Sequence, residues 1–227
     1  MVNVEDNFKA IQHKIQEACQ RVNRIQDEVT IIAVTKYVSI ERAQQAIAAG
    51  VHNLGENRLE GFLTKFESIA NQANWHFIGT LQSRKVKDLI DNVSYIHSLD
   101  RKSLAKEINK RANRKVPCFV QVNVSGEDSK HGLPPEEVVS FVENLSSYAN
   151  IEVVGLMTMA PHSEDQSYVR AIFSELRNVK EEIEAKKWGH APCHYLSMGM
   201  SNDFEIAIEE GATHIRIGSK LVGHEYD

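Results

Sequence analysis

A single closed (β/α)8 barrel is the fold this sequence predicts, and three observations predict it. Eight short runs rich in β-branched or aromatic residues alternate with amphipathic helical segments, the pattern of βα units and a parallel sheet. No Pro/Gly/Ser-rich linker divides the 227 residues, a length that one α/β barrel commonly reaches. No G-x-G-x-x-G follows the first run, where an open dinucleotide-binding sheet would want it. One domain over 1–227 is expected, with 1–28 as an N-terminal helical extension packed on the barrel.

The extension comes first, with Phe8, Ile11, Ile15, Ala18 and Val22 at helical spacing. Strands are expected at 30–36 (TIIAVTK), 51–57 (VHNLGEN), 75–79 (WHFIG) and 93–100 (VSYIHSLD). The helix after the fourth carries the one basic run, RKSLAKEINKRANRK. Its other side holds Leu104, Ala105, Ile108 and Ala112, so the charges read as a solvated face rather than a binding patch. Four more strands are expected at 116–124 (VPCFVQVNV), 152–159 (EVVGLMTM), 194–201 (HYLSMGMS) and 214–221 (HIRIGSKL). Between the sixth and seventh, Val169, Ile172, Phe173, Leu176, Val179 and Ile183 mark the clearest helix, over 166–187.

Composition narrows the function classes. A net charge of −5 and a pI near 6.1 give no footprint for nucleic acid. A hydrophobic fraction of 42% with 25% charged residues is that of a soluble protein with a full core. The start MVNVEDNFKAIQHK lacks a cationic leader before an apolar core, and no run approaches the roughly 20 apolar residues of a membrane span. No membrane association and a cytoplasmic location are expected. Cys19, Cys118 and Cys193 are isolated and read as packing residues, and the histidines show no H-E-x-x-H spacing, so no metal is expected.

In such a barrel the strand C-termini open on one face, which holds the chemistry. Ile32, Val34 and Lys36 share one side of the first strand, so an interior Ile32 and Val34 would aim Lys36 into the mouth. The plain alternative is the first solvated residue after a strand. Asn53, Gly55 and Asn57 are in step on the second strand, as are His76 and Ile78 on the third. After the seventh strand, Ser201 or Asn202 is placed to cap a helix, with Glu205 completing a capping box. After the eighth, Gly218 and Ser219 offer close backbone approach and a hydroxyl. Ser201, Gly218 and Ser219 thus fit a phosphate site at the last two βα loops, or serve only as caps and turns. An enclosed amine opposite a phosphate site suggests a phosphorylated carbonyl compound, either a sugar phosphate or pyridoxal phosphate, bound as a Schiff base. Arg216, in step with Gly218 and one pair deeper, would donate to a pyridine nitrogen or pair with a carboxylate such as Glu56 or Asp100.

The segments AVTK, LGENR, WHFIGTLQSRK, SKHG, GLMTM, LSMGMSND and RIGSKLVG, in that order from about residue 30 to 223, resemble the YggS/PROSC family of pyridoxal-phosphate-binding homeostasis proteins. The resemblance implies a TIM barrel of PLP fold-type III, like the N-terminal domain of alanine racemase. It implies pyridoxal 5'-phosphate (PLP) as a covalent aldimine on Lys36. It places Asn57, His76 and Ile78 around the ring, Ser201, Gly218 and Ser219 at the phosphate, and Arg216 at the pyridine nitrogen, with Met157 also among the cofactor-binding residues. "TKY" and "LVG" depart from the commoner family wording without touching these positions.

The implied role is PLP homeostasis, with vitamin B6 vitamers and PLP-requiring apoenzymes as partners of a monomer, and no substantial turnover. A donor-only Arg216 would leave the ring nitrogen unprotonated and the ring a weak electron sink. The alternative is a PLP-dependent amino-acid racemase. Racemisation needs acid–base groups on both cofactor faces, and the related racemases take one from a C-terminal β domain, whereas this chain stops at Asp227. Tyr37 and Tyr195, expected near the mouth, keep that option open. A third reading is a barrel for an unrelated phosphorylated metabolite. Lys130, in the GEDSKHG loop, is the substitute attachment lysine.

Overall fold

The computed structural model describes residues 2–127 and 129–226; Met1, Asp128 of the GEDSKHG loop and Asp227 lie outside the described residues. The strands are β1 Thr30–Val34, β2 Asn53–Glu56, β3 Asn74–Phe77, β4 Tyr95–Leu99, β5 Val116–Gln121, β6 Ile151–Met157, β7 Tyr195–Met200 and β8 His214–Ile217. They pair in chain order, all parallel, and β8 returns to β1 through Ile32 opposite Arg216, which closes the barrel. Helix α1 Val4–Arg21 and a 3-10 turn at Gln26–Glu28 precede the sheet. The strands are followed by α2 Ile40–Ala48, α3 Leu59–Ile69, α4 Val86–Leu89, α5 Lys102–Arg111, α6 Pro135–Asn144, α7 Gln166–Ala185, α8 Phe204–Glu209 and α9 Ser219–Val222.

The eighth strand departs from expectation. It stops at Ile217, and the stretch expected to continue it coils into α9 beyond Gly218. The capping box is not formed either. Asp203, not Ser201 or Asn202, stands at the N-cap of α8, and its carboxylate turns back to accept from Met200 N at 2.5 Å. Glu205 instead pairs with Lys14 and Arg21 of α1 at 3.4 Å each.

Helix α1 starts at Asn3, whose side chain accepts from the Glu5 and Asp6 N–H groups. Ile11, Ile15 and Ala18 recur at helical spacing on its buried face, and α1 packs on α8 and α9. Each fully buried Ile contributes about 1.5–3 kcal/mol. Arg42 of α2 ties the chain ends together: Nη1 donates to the Val2 carbonyl and Nη2 to Glu225 Oε1, both at 3.1 Å.

The main apolar core lies between sheet and helices. Outward residues such as Leu54, Phe77, Ile96 and Val120 meet Phe62, Leu104, Phe141 and Phe173 there. Cys118 and Cys193 belong to it, and burial pushes both thiols up to about 12, which keeps them unreactive. Inside the barrel the filling is different. Phe119, Val154 and Met157 form a small separate cluster, beside the buried polar side chains of His76, His97, Ser197 and Arg216. Barrel interiors are more often layers of Val, Ile and Leu, so this interior owes its order to hydrogen bonds as well as packing. Among the described residues no helix is long and apolar enough to cross a membrane.

Candidate functional site

The C-terminal ends of the strands open into a cavity of about 740 Å³, whose lining includes Val34, Lys36, Asn57, Ile78, Arg216 and Gly218. Ser201 and Ser219 complete its polar side, and Met159 adds apolar wall. Seven of the nine residues singled out in the sequence therefore meet in one space. His76 and Met157 do not: both are buried in the barrel below the mouth. Strand alternation put His76 on the inner side, but depth depends on strand tilt and stagger, which alternation does not encode; Met157 rested on the resemblance alone.

Lys36 lies just beyond β1, exposed, with Nζ 4.7 Å from the centroid of the Tyr37 ring. The expectation of an amine enclosed by apolar strand residues therefore fails; Lys36 reaches the mouth from its rim. Its base is well fixed. The Thr35 hydroxyl donates to Glu56 Oε1 at 2.6 Å, and Lys65 of α3 pairs with the same oxygen at 3.0 Å. Because Glu56 directly precedes Asn57, one buried carboxylate anchors the residues next to two cavity positions. Gly61 leaves room for it, since a Cβ there would lie 2.9 Å from Glu56 Oε2. Gly79 does the same for Asn57: a Cβ would fall 2.2 Å from the Asn57 carbonyl oxygen, so only glycine lets β2 and β3 end this close.

Arg216 forms part of the floor. It is 4% exposed, with Nη1 donating to Ser197 Oγ at 2.6 Å and Nη2 to the Thr158 carbonyl at 2.9 Å. Neither carboxylate suggested as its partner reaches it; Glu56 holds Lys65, and Asp100 holds Arg101 at 2.6 Å. Burial lowers the guanidinium to about 10, with Asp203 pulling the other way, so it is charged at neutral pH. Asp203, also in the cavity lining, is raised by burial, an effect opposed by the Met200 N–H and by Arg216.

At the ends of the last two strands, Ser201 follows β7 and the Gly218–Ser219 pair follows β8, beside the end of β1. Lys220 joins the two loops, its Nζ donating to the Ser201 carbonyl at 2.7 Å. That bridge was missed from sequence, although a lysine directly after Ser219 was its visible signal. Among the described residues, the first N–H groups of α9 have no acceptor within the helix, as at any helix start, and they add donors to this polar side. Lys130 is held outside the cavity lining by Glu127 Oε2 at 3.1 Å and by the Met159 carbonyl at 3.4 Å. Tyr37 lines the mouth, but Tyr195 begins β7 and lies at the opposite barrel face, beside Asn53 and His214. Among the described residues no cluster of His, Cys, Asp and Glu is arranged to hold a metal ion.

The arrangement is an amine at the rim, a fixed donor-only cation on the floor, and hydroxyl and backbone donors in the loops after β7 and β8, with apolar residues in the same lining. It suits a flat, apolar ring bearing an aldehyde, a ring acceptor and an anionic arm, which is the donor and acceptor pattern of PLP.

Comparison with known proteins agrees. The model of the alanine racemase N-terminal domain family matches residues 7–226. A pyridoxal phosphate homeostasis protein of Aquifex aeolicus is 41% identical, over 98% of this chain and 98% of its own. The solved structure of PipY from Synechococcus elongatus with PLP bound superposes with a TM-score of 0.81 at 29% identity, over 92% of this chain and all of that one. An alanine racemase of Clostridium difficile shares the fold, with a TM-score of 0.79 at 16% identity, and this chain spans 57% of it. A closed parallel barrel with this mouth, matched nearly end to end by such relatives, places the chain in the alanine racemase N-terminal domain family, among its pyridoxal phosphate homeostasis proteins.

Proposed function

We propose that the protein holds PLP reversibly in the barrel mouth and releases it, serving PLP homeostasis without turning over amino acids. When bound, the cofactor would supply an aldehyde for a reversible bond to an amine and a ring able to withdraw electrons. Lys36 provides that amine from an exposed rim, where an incoming amine or a recipient protein has access. Ser201, Ser219 and the start of α9 offer donors to the phosphate, while Val34, Ile78 and Met159 supply apolar walls. Asn57 adds an amide at the edge.

The observation that carries the non-catalytic reading is Arg216. Its guanidinium is fixed on two acceptors and stays protonated, so a ring nitrogen meeting it receives a hydrogen bond and no proton. An unprotonated ring stabilises a carbanion poorly. The position of Tyr195 at the far face also removes one of the two tyrosines a racemase reading would use as a second acid.

The test is to load the purified protein with PLP, add a panel of L-amino acids in deuterated water and follow the α-proton by NMR. The loaded protein should be yellow and the α-protons should persist. Lys36→Ala should abolish the colour while leaving the melting temperature of the ligand-free protein nearly unchanged. Rapid exchange that disappears in Lys36→Ala would replace this reading with the racemase one.

A further inference from the structure

Arg216 is the mouth end of a continuous column of hydrogen bonds that runs through the barrel interior. Arg216 Nη1 lies 2.6 Å from Ser197 Oγ, which lies 2.9 Å from His97 Nδ1. His97 Nε2 is 2.9 Å from His76 Nδ1, and His76 Nε2 is 3.1 Å from Asn53 Oδ1. Four strands contribute to the last three links, so the column crosses the barrel rather than following one wall. The rings are clamped from the side: His97 stacks on Phe119 with centroids 4.2 Å apart, and His76 on Tyr95 at 4.7 Å.

We propose that Ser197, His97, His76 and Asn53 are positioning residues that hold one side of the Arg216 guanidinium and leave its remaining N–H groups to the mouth. The donor inventory gives the column one direction. Arginine only donates, so Ser197 Oγ accepts from it. Asn53 Oδ1 accepts at the other end, where it also receives Asn74 Nδ2 at 3.3 Å. His76 therefore carries its proton on Nε2 and accepts at Nδ1. His97 must then donate from Nε2 and accept at Nδ1, which leaves the Ser197 hydroxyl proton pointing at His97. Every link is satisfied in this direction. The reverse would make Ser197 accept from both neighbours with its own proton unplaced, and would turn the Asn53 amide donor towards Asn74. Burial, with neighbouring His214, holds His76 well below the ordinary imidazole range; His97 is lowered by burial and by His76, His214 and Arg216. Both rings are thus neutral, each with one donor and one acceptor. A neutral, fully satisfied column fixes the arginine without adding a charge to the floor of the site.

This inference rests on the reading that Arg216 meets the ring nitrogen of bound PLP, and the experiment has one arm independent of it. In the ligand-free protein at neutral pH, nitrogen-15 NMR should find His76 and His97 both as Nε2–H tautomers. An Nδ1–H form of His97 would reverse the column and overturn the proposal. The second arm compares PLP with its 1-deaza analogue, in which carbon replaces the ring nitrogen. Ser197→Ala should weaken PLP by about tenfold, the loss of one hydrogen bond to a charged group, and leave the analogue unaffected. Equal losses would mean general damage, and no loss would mean no positioning; either overturns the proposal. If the unaltered protein held neither compound, the proposed function would fall, while the NMR arm would still decide the column.

Discussion

Ser201 is where the loops after β7 and β8 meet, because its carbonyl receives Lys220 Nζ while the residue belongs to the cavity lining. Ser201→Ala removes only the hydroxyl, so PLP should weaken relative to pyridoxal by about 1–3 kcal/mol, as measured by titration of both. Equal losses for the two ligands would separate Ser201 from the phosphate. At this scale the sequence told which side a residue takes and not how deep it lies. Lys36, Ile78 and Arg216 could be read because they lie just beyond a strand's C-terminal end or one residue inside it. His76 and Tyr195 could not: the first is sealed in the interior and the second starts its strand at the other face.

The ends of β1 and β2 show how an element positions a site. Glu56 is 1% and Lys65 8% exposed at the side chain, so the pair is shielded from water on both sides. Lys65→Met would leave the carboxylate buried without its cation, and stability should fall by about 3–5 kcal/mol. Adding Glu56→Gln should recover much of that loss. Urea unfolding of both variants decides it; a single variant as stable as the parent would show the pair to be dispensable. Elements were the most legible level, since β-branched runs bounded by helical periodicity located every strand. The failures are local. SKLV carries an apolar pair that reads as strand but coils into α9, and Asp203, rather than Ser201 or Asn202, stands at the start of α8 with its carboxylate turned back to Met200 N.

The molecule as a whole has an outer apolar core and an inner polar column, and their acid responses differ. His76 and His97 are lowered well below the ordinary value of 6.5, and His214 to about 4, by burial in each case. An unfolded chain takes up these protons near 6.5, whereas the folded one resists them. Stability should therefore be level above that pH and fall below it, by about 1.4 kcal/mol per pH unit for each histidine still neutral in the fold. Urea midpoints measured between about pH 7.5 and 5 test this; a flat profile would mean that the interior rings protonate freely. The closed sheet was foreseeable from eight repeated units, but the polar interior was not. Its residues sit on five different strands, and only closure brings them together.

The Arg42 clamp has a consequence for how the chain is threaded. One guanidinium holds both the Val2 carbonyl and the Glu225 carboxylate, and Gly223 packs so near Val2 that a Cβ would lie 2.8 Å from its methyl. The covalent path thus returns close to where it began, and β8 pairs with β1 over four residues, from Thr30 opposite His214 to Ala33 opposite Ile217. In geometric terms the closed ring has no free edge at which a first strand would stand. A circularly permuted chain, with these ends joined by a short bridge and a new opening in a loop at the face away from the mouth, would trace the same sheet in the same order.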